Sequence, residues 1–236
     1  MSFLKKYFPH LLLGFYLSEL AFLAISPYDR TTWIAENLTA FIPAAILCLL
    51  YWKNIRFSNT AYFLMAVFLC CHTVGGHFTF ERVPFDFVTE LFGFQRNHFD
   101  RMCHFMVGFF AWPVLEYIEE HHLIKGRFFA AFMVVMGVFG FAAIFELIEW
   151  LYAEFSSPAS GSAFLGSQGD IWDAQKDMLC DGLGAITTTI FYSLVKRSFP
   201  LPPEPPISFQ EKQNISGASN RCGTFPENSS TDTDNR

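Results

Sequence analysis

Along residues 1–198 the apolar positions come in long blocks rather than at helical intervals of three and four. Blocks without a 3.6-residue rhythm predict helices that are apolar all round, the pattern of membrane spans. A span needs about 20 mostly apolar residues. Six segments reach or approach that length: 7–26, 33–52, 57–74, 102–118, 128–150 and 178–195. Glu36 and Asn37 interrupt the second and the fourth is short, so five spans is the alternative count. The fold expected is all-α, a polytopic integral membrane helical bundle of about six transmembrane helices filling residues 1–198. From residue 199 onward Pro, Ser, Asn and charged residues dominate and no apolar period survives, which predicts a disordered tail over 199–236.

Composition sharpens this picture. The chain of 236 residues is 52% hydrophobic and 18% aromatic, with 30 Phe and only 16% charged residues, a balance foreign to soluble domains. The first residues run from basic to apolar as in a signal peptide. Glu19 within that stretch, and the spans after it, favour an uncleaved first helix. Cys48, Cys70, Cys71, Cys103, Cys180 and Cys222 show no CxxC pair or spaced framework, and the five before the tail lie in or beside apolar runs and read as small hydrophobes in helix packing. The formal charge of −6 sits mainly in acidic loops and the tail and offers no basic face to nucleic acid.

Charge also orients the chain, because short loops rich in Lys and Arg stay cytoplasmic. With six spans, Lys5, Lys6, Lys53, Arg56, Lys125, Arg127, Lys196 and Arg197 fall on one side. Arg30, Arg82, Arg96, Arg101 and Lys176 are scattered over longer loops on the other. Both termini, and the tail, are therefore expected in the cytoplasm.

The polar residues that remain gather at one depth. In GDIWDAQKDMLCD, Asp170, Asp173, Asp177 and Asp181 fall within roughly 80° of one another on a helix face at 100° per residue. Four like charges entering a membrane require a compensating partner, because a carboxylate in hydrocarbon costs about 3 kcal/mol or more. By the topology above, His72, His104, Glu146 and Asp181 share a depth on four helices, with Arg96, Asp100, Arg101 and Glu149 just outside them. Three uses of such a cluster compete. It can be a structural network in which Arg96 and Arg101 neutralise carboxylates and His104 donates to Asp100 or Glu146. It can hold a divalent metal ion, with oxygen donors suiting Mg²⁺, Ca²⁺ or Mn²⁺ and added imidazoles suiting Zn²⁺ or Fe. It can also hold an anion such as a lipid phosphate.

At HTVGGHFTF, RNHFDRMCHFMVGF, ELIEW and GSQGDIWDAQKDMLCDGLGA the chain resembles a family of uncharacterised bacterial inner-membrane proteins, the YjdF type, over about 12–195. The resemblance implies a multi-pass protein of the cell inner membrane and carries no reaction with it. More distantly, Asp100-Arg101, His104-Phe105, Glu146, Glu149, Asp181 and Gly184 are similar to the pattern of VanZ-like membrane proteins, which implies cell-envelope or lipid-related work. Asp181 stands where that group usually has Asn. Asp170, Asp173 and Asp177 also share the spacing by which UbiA-type prenyltransferases hold Mg²⁺ against a diphosphate. The second Asp-rich motif and the further spans of those enzymes are absent.

The function expected is metal-assisted binding or turnover of a phosphate-bearing lipid, a phospholipid or isoprenoid phosphate, at an outward-facing site. Asp173, Asp177, Asp181, Glu146, Glu149 and His72 are the candidate metal ligands, and Arg96 and Arg101 the candidate anion holders. His104 is the candidate general acid or base, oriented by Asp100. A structural or assembly protein is the alternative. A small-solute or proton-coupled transporter comes third, since Glu19 and Glu116 are the only acidic groups deeper in the bundle.

Overall fold

The computed structural model describes residues 3–165 and 167–198, so the tail expected over 199–236 lies outside the described residues. Every regular element among the described residues is helical: α1 (Phe3–Leu23), α2 (Arg30–Trp52), α3 (Asn59–Phe78), α4 (Asp86–Phe92), α5 (Phe99–Val107), α6 (Ala111–Glu120), α7 (Arg127–Phe155), α8 (Pro158–Leu165) and α9 (Asp173–Ser198). A single 3₁₀ turn, Gly108–Phe110, joins α5 to α6. Among the described residues α2, α3, α7 and α9 are long and apolar enough to cross a membrane. The other two expected spans are α1, of 21 residues, and the jointed rod of α5 and α6.

Local chemistry sets these boundaries. Asp29 opens α2 by accepting from the Thr32 N–H at 2.6 Å, and Ser58 opens α3 by accepting from Ala61 N–H at 3.1 Å. The break between α5 and α6 lies just upstream of Pro113, whose missing N–H and bulky ring conflict with the carbonyl of Phe109. The chain tightens to 3₁₀ geometry there instead of continuing as one helix.

α3 is the central helix and packs against α1, α2, α5 and α6. Towards the end bearing Lys53 and Arg127, Ala61, Met65, Ala111, Trp112, Leu115, Ala130, Val134, Ala185 and Tyr192 form the apolar core. The outward faces are equally apolar: Phe128, Phe141, Ile144, Leu147 and Phe155 of α7 are each more than half exposed. Apolar side chains on every outward face, with most of the buried charged residues gathered towards one end, are what a bilayer solvent demands.

α5 and α9 come into backbone contact where α5 ends. A Cβ at Gly108 would overlap the backbone of Gly184 and Ala185, and one at Gly184 would overlap the Phe105 carbonyl oxygen. Small residues at a crossing let two backbones meet, as in membrane helix pairs generally. Gly76 does the same for α3 and α2, since a Cβ there would lie 3.0 Å from Glu36 Cβ. Both contacts sit beside the polar level described next.

Candidate functional site

The polar level is built on α5 and α9. Asp181, one turn beyond Asp177 and only 1% exposed, faces α5 across the glycine contact. His104 Nδ1 lies 3.0 Å from Asp181 Oδ2, so the ring donates from Nδ1 to that carboxylate. Nε2 is thereby turned towards Asp100, with Asp100 Oδ1 at 3.7 Å. One ligand atom each from Asp100, His104 and Asp177 lies within 4.8 Å of the others, a spacing that can hold a metal ion. The hydrogen bond expected from His104 to Asp100 or Glu146 thus goes to Asp181 instead. The reason is rotational: α9 presents Asp181 directly to the ring, whereas Asp100 lies one turn back on the same helix as His104.

The arginines pair with the aspartates at and before the start of α9. Arg101 reaches Asp170 Oδ2 at 2.6 Å, Asp173 Oδ1 at 3.0 Å and Asp177 Oδ1 at 3.5 Å. Arg96 pairs with Asp173 Oδ1, stands 3.8 Å from Asp170 and donates to the Ser167 carbonyl at 3.1 Å. Lys176 closes on Asp170 at 2.6 Å. Two loop segments are stitched together above these pairs. The Asn97 N–H donates to Gln168 Oε1 at 3.0 Å, and Gln168 Nε2 returns a bond to the Asn97 carbonyl at 2.9 Å. Asn97 Nδ2 also holds the Val83 carbonyl at 2.8 Å.

The stripe of four aspartates is modified by this arrangement. Only Asp173, Asp177 and Asp181 lie on α9, and Asp170 belongs to the turn before it. Asp170 Oδ1 accepts from the Trp172 N–H at 3.1 Å, a local bond that competes with starting the helix three residues earlier. Its bonds from Lys176 and then Arg101 hold Asp170 well below the usual carboxylate range. A depressed folded-state pKa stabilises the fold above the unfolded value of about 4 and loses that contribution as the pH falls through the folded value. The difference in thermal stability between wild type and Asp170→Asn is therefore expected to shrink below pH about 4. A gap that stays constant down to pH 2 would contradict that ion pairing.

Two further groups complete the cluster. Glu146 and Glu149 of α7 lie within electrostatic reach of His104 and Asp100. Glu146 Oε1, Asp173 Oδ2, Asp177 Oδ1 and Asp181 Oδ1 are buried with no hydrogen-bond partner among the described residues. His72 sits one step aside: Nε2 is 3.8 Å from Glu36 Oε2 and 3.2 Å from Thr39 Oγ1, and its ring stacks on Phe68.

Glu36 is the member that sequence reasoning overlooked. It is 2% exposed and lies within electrostatic reach of Asp100 and His104, bringing a fifth helix to the site. The signal was present as Thr32, Glu36, Asn37, Thr39 and Ala40, polar or small residues recurring every three or four positions in an apolar run. Glu116, by contrast, takes no part. It accepts from the Ser58 N–H at 3.0 Å and from Trp112 Nε1 at 2.9 Å, so it serves the start of α3.

Comparison with known proteins places this arrangement in a family. Residues 8–198 match the family described as "Predicted membrane protein (DUF2238)". The chain is also 36% identical over 174 residues to "Inner membrane protein YjdF" of Escherichia coli (strain K12), an alignment covering 73% of this chain and 82% of that one. No solved structure matches it. The chain belongs to the DUF2238 family, and it is an integral, multi-pass protein of the inner membrane.

Proposed function

We propose that the cluster holds one divalent cation and uses it to bind or turn over a phosphate-bearing lipid at the outer face of the membrane. The observation that carries this reading is the set of buried carboxylate oxygens around His104 that lack hydrogen-bond partners, those of Glu146 and Asp181 together with Asp177 Oδ1, whose one ion pair is with Arg101 at 3.5 Å. Glu36, Asp100, Glu146, Glu149, Asp170, Asp173, Asp177 and Asp181 outnumber Arg96, Arg101 and Lys176. Buried charge without a partner is strongly disfavoured, and a cation or shared protons must make up the difference.

The roles divide by position. His104 Nε2, Asp100 and Asp177 are the inner ligands, and Asp181 is the group that orients the imidazole through Nδ1–H, the usual outer carboxylate of a metal-bound histidine. Glu146 and Glu149 supply further oxygens. A donor set of one imidazole and several carboxylates suits Mn²⁺, Zn²⁺ or Fe²⁺ better than the all-oxygen shell of Mg²⁺ or Ca²⁺. Arg101, already shared among Asp170, Asp173 and Asp177, can turn part of its fork towards an incoming phosphate. Isoprenoid monophosphates and phospholipids both offer that group at membrane depth. Placing the site outside follows from the Lys- and Arg-bearing loops at the opposite end, which also puts both termini in the cytoplasm.

The purely structural reading draws on a specific observation too, since Arg96 and Arg101 already close ion pairs with Asp170, Asp173 and Asp177. Metal analysis of the full chain purified without chelators separates the two. About one divalent ion per chain is expected, lost in His104→Ala and in Asp177→Asn, together with metal-dependent binding of a polyprenyl monophosphate. A metal-free wild type would overturn the proposal, and so would variants that keep the ion.

A further inference from the structure

The opposite end of the bundle carries a second feature that the acidic site does not use. Between α1, α2 and α3 lies a cavity of about 200 Å³ lined by Leu13, Tyr16, Leu47, Ala66 and Leu69, with His10, Tyr51 and Tyr62 towards one end. No acidic side chain lines it. His10 stands early in α1, Tyr51 late in α2 and Tyr62 early in α3, so this mouth opens where the Lys- and Arg-bearing segments lie.

Two of the basic residues meet the ring of Tyr51. Arg56 stacks over Tyr51 at 3.4 Å from its centroid and donates to the Tyr51 carbonyl. The His10 ring meets the same tyrosine edge-on at 5.1 Å, and the Lys6 ammonium lies over Tyr7, which in turn contacts His10. Lys53 caps the end of α2, three residues before Arg56, and is exposed. An apolar slot whose lining tyrosine Tyr51 carries the Arg56 guanidinium, with Lys6 and Lys53 at the same end of α1 and α2, complements one kind of membrane molecule. Its head is an anion and its chain is apolar.

We infer that this groove is a binding site for an anionic phospholipid, with an acyl chain between α1, α2 and α3 and the phosphate among Lys6, His10, Lys53 and Arg56. In a bilayer the groove gains little from burying a chain that is already in hydrocarbon, so preference must come from the head group. Each basic residue near an anionic lipid contributes about a fivefold preference. The site is independent of the proposed metal centre, which lies on α5 and α9.

Native mass spectrometry of the full chain in detergent, titrated with phosphatidylglycerol or phosphatidylcholine of matched acyl chains, tests the assignment. Phosphatidylglycerol is expected to bind at least tenfold more tightly to wild type. Lys6→Gln with Lys53→Gln, both exposed, should remove most of that preference. Ala66→Phe, which fills the groove but leaves the charges, should remove the bound lipid. Equal binding of the two lipids to wild type would overturn the inference. So would undiminished phosphatidylglycerol binding by either variant, provided its helical circular dichroism matches wild type.

Discussion

Replacing Arg101 by alanine is expected to destabilise the protein by about 3–5 kcal/mol, the range for removing one partner from a buried charge network. Its side chain is 15% exposed, and it is the cation that Asp170, Asp173 and Asp177 share. Arg96 reaches Asp173 and Asp170, and Lys176 reaches Asp170, but no other Lys or Arg pairs with Asp177 among the described residues. Without Arg101, Asp177 must therefore face Asp100, Glu146 and Asp173 with no arginine or lysine paired to it among the described residues. Thermal unfolding in detergent reads the effect. Arg101→Lys should recover less than half of it, because a single ammonium cannot span three carboxylates as a planar guanidinium does. Combining Arg101→Ala with Asp177→Asn should cost less than the two separate losses summed, since the stranded charge is then gone. If Arg101→Ala shifts the unfolding temperature by only a degree or two, the network contributes nothing to helix order.

That His104 and Asp181 share a level was legible in the sequence, and their direction around the helix was not. Hydropathy places a residue along the membrane normal, which is why the sequence alone sets His104 and Asp181 at one level. Which way a side chain points is normally read from an amphipathic stripe, and helices apolar all round have none. The sequence sets Asp181 and His72 among the metal-ligand candidates without giving their direction; in the structure Asp181 Oδ2 faces His104 Nδ1 and His72 Nε2 lies beside Glu36. Glu36 escaped for a related reason: within an apolar run it reads as damage to a span, and only the α2–α3 contact at Gly76 gives it a place. The short helices α4 and α8 carry little periodic signal, and the link from Asn97 to Gln168 joins segments 71 positions apart. Loop chemistry of that range is settled by tertiary contact, beyond the reach of local pattern.

The motif glycines supply the direction that hydropathy lacked, and Gly184→Val is the substitution that tests this most severely. A side chain at 184 meets the Phe105 carbonyl oxygen, a backbone atom that cannot swing aside, so α9 must move away from α5. Overpacking of this kind costs about 3 kcal/mol at the upper end of its usual range. The same movement would part His104 from Asp181 and scatter Asp100, His104 and Asp177, so any bound divalent ion should be lost along with stability. Gly137→Ala and Gly140→Ala are the internal comparison, since a Cβ at either position meets nothing within 4 Å. Those two should leave the unfolding temperature unchanged or raise it by the equivalent of about 0.5–1 kcal/mol, the ordinary gain of alanine over glycine inside a helix. Equal behaviour of Gly184→Val and Gly140→Ala would mean that the α5–α9 contact does not position the site. A large difference, with the ion lost only in Gly184→Val, would tie the close approach of two backbones directly to the convergence of Asp100, His104, Asp177 and Asp181.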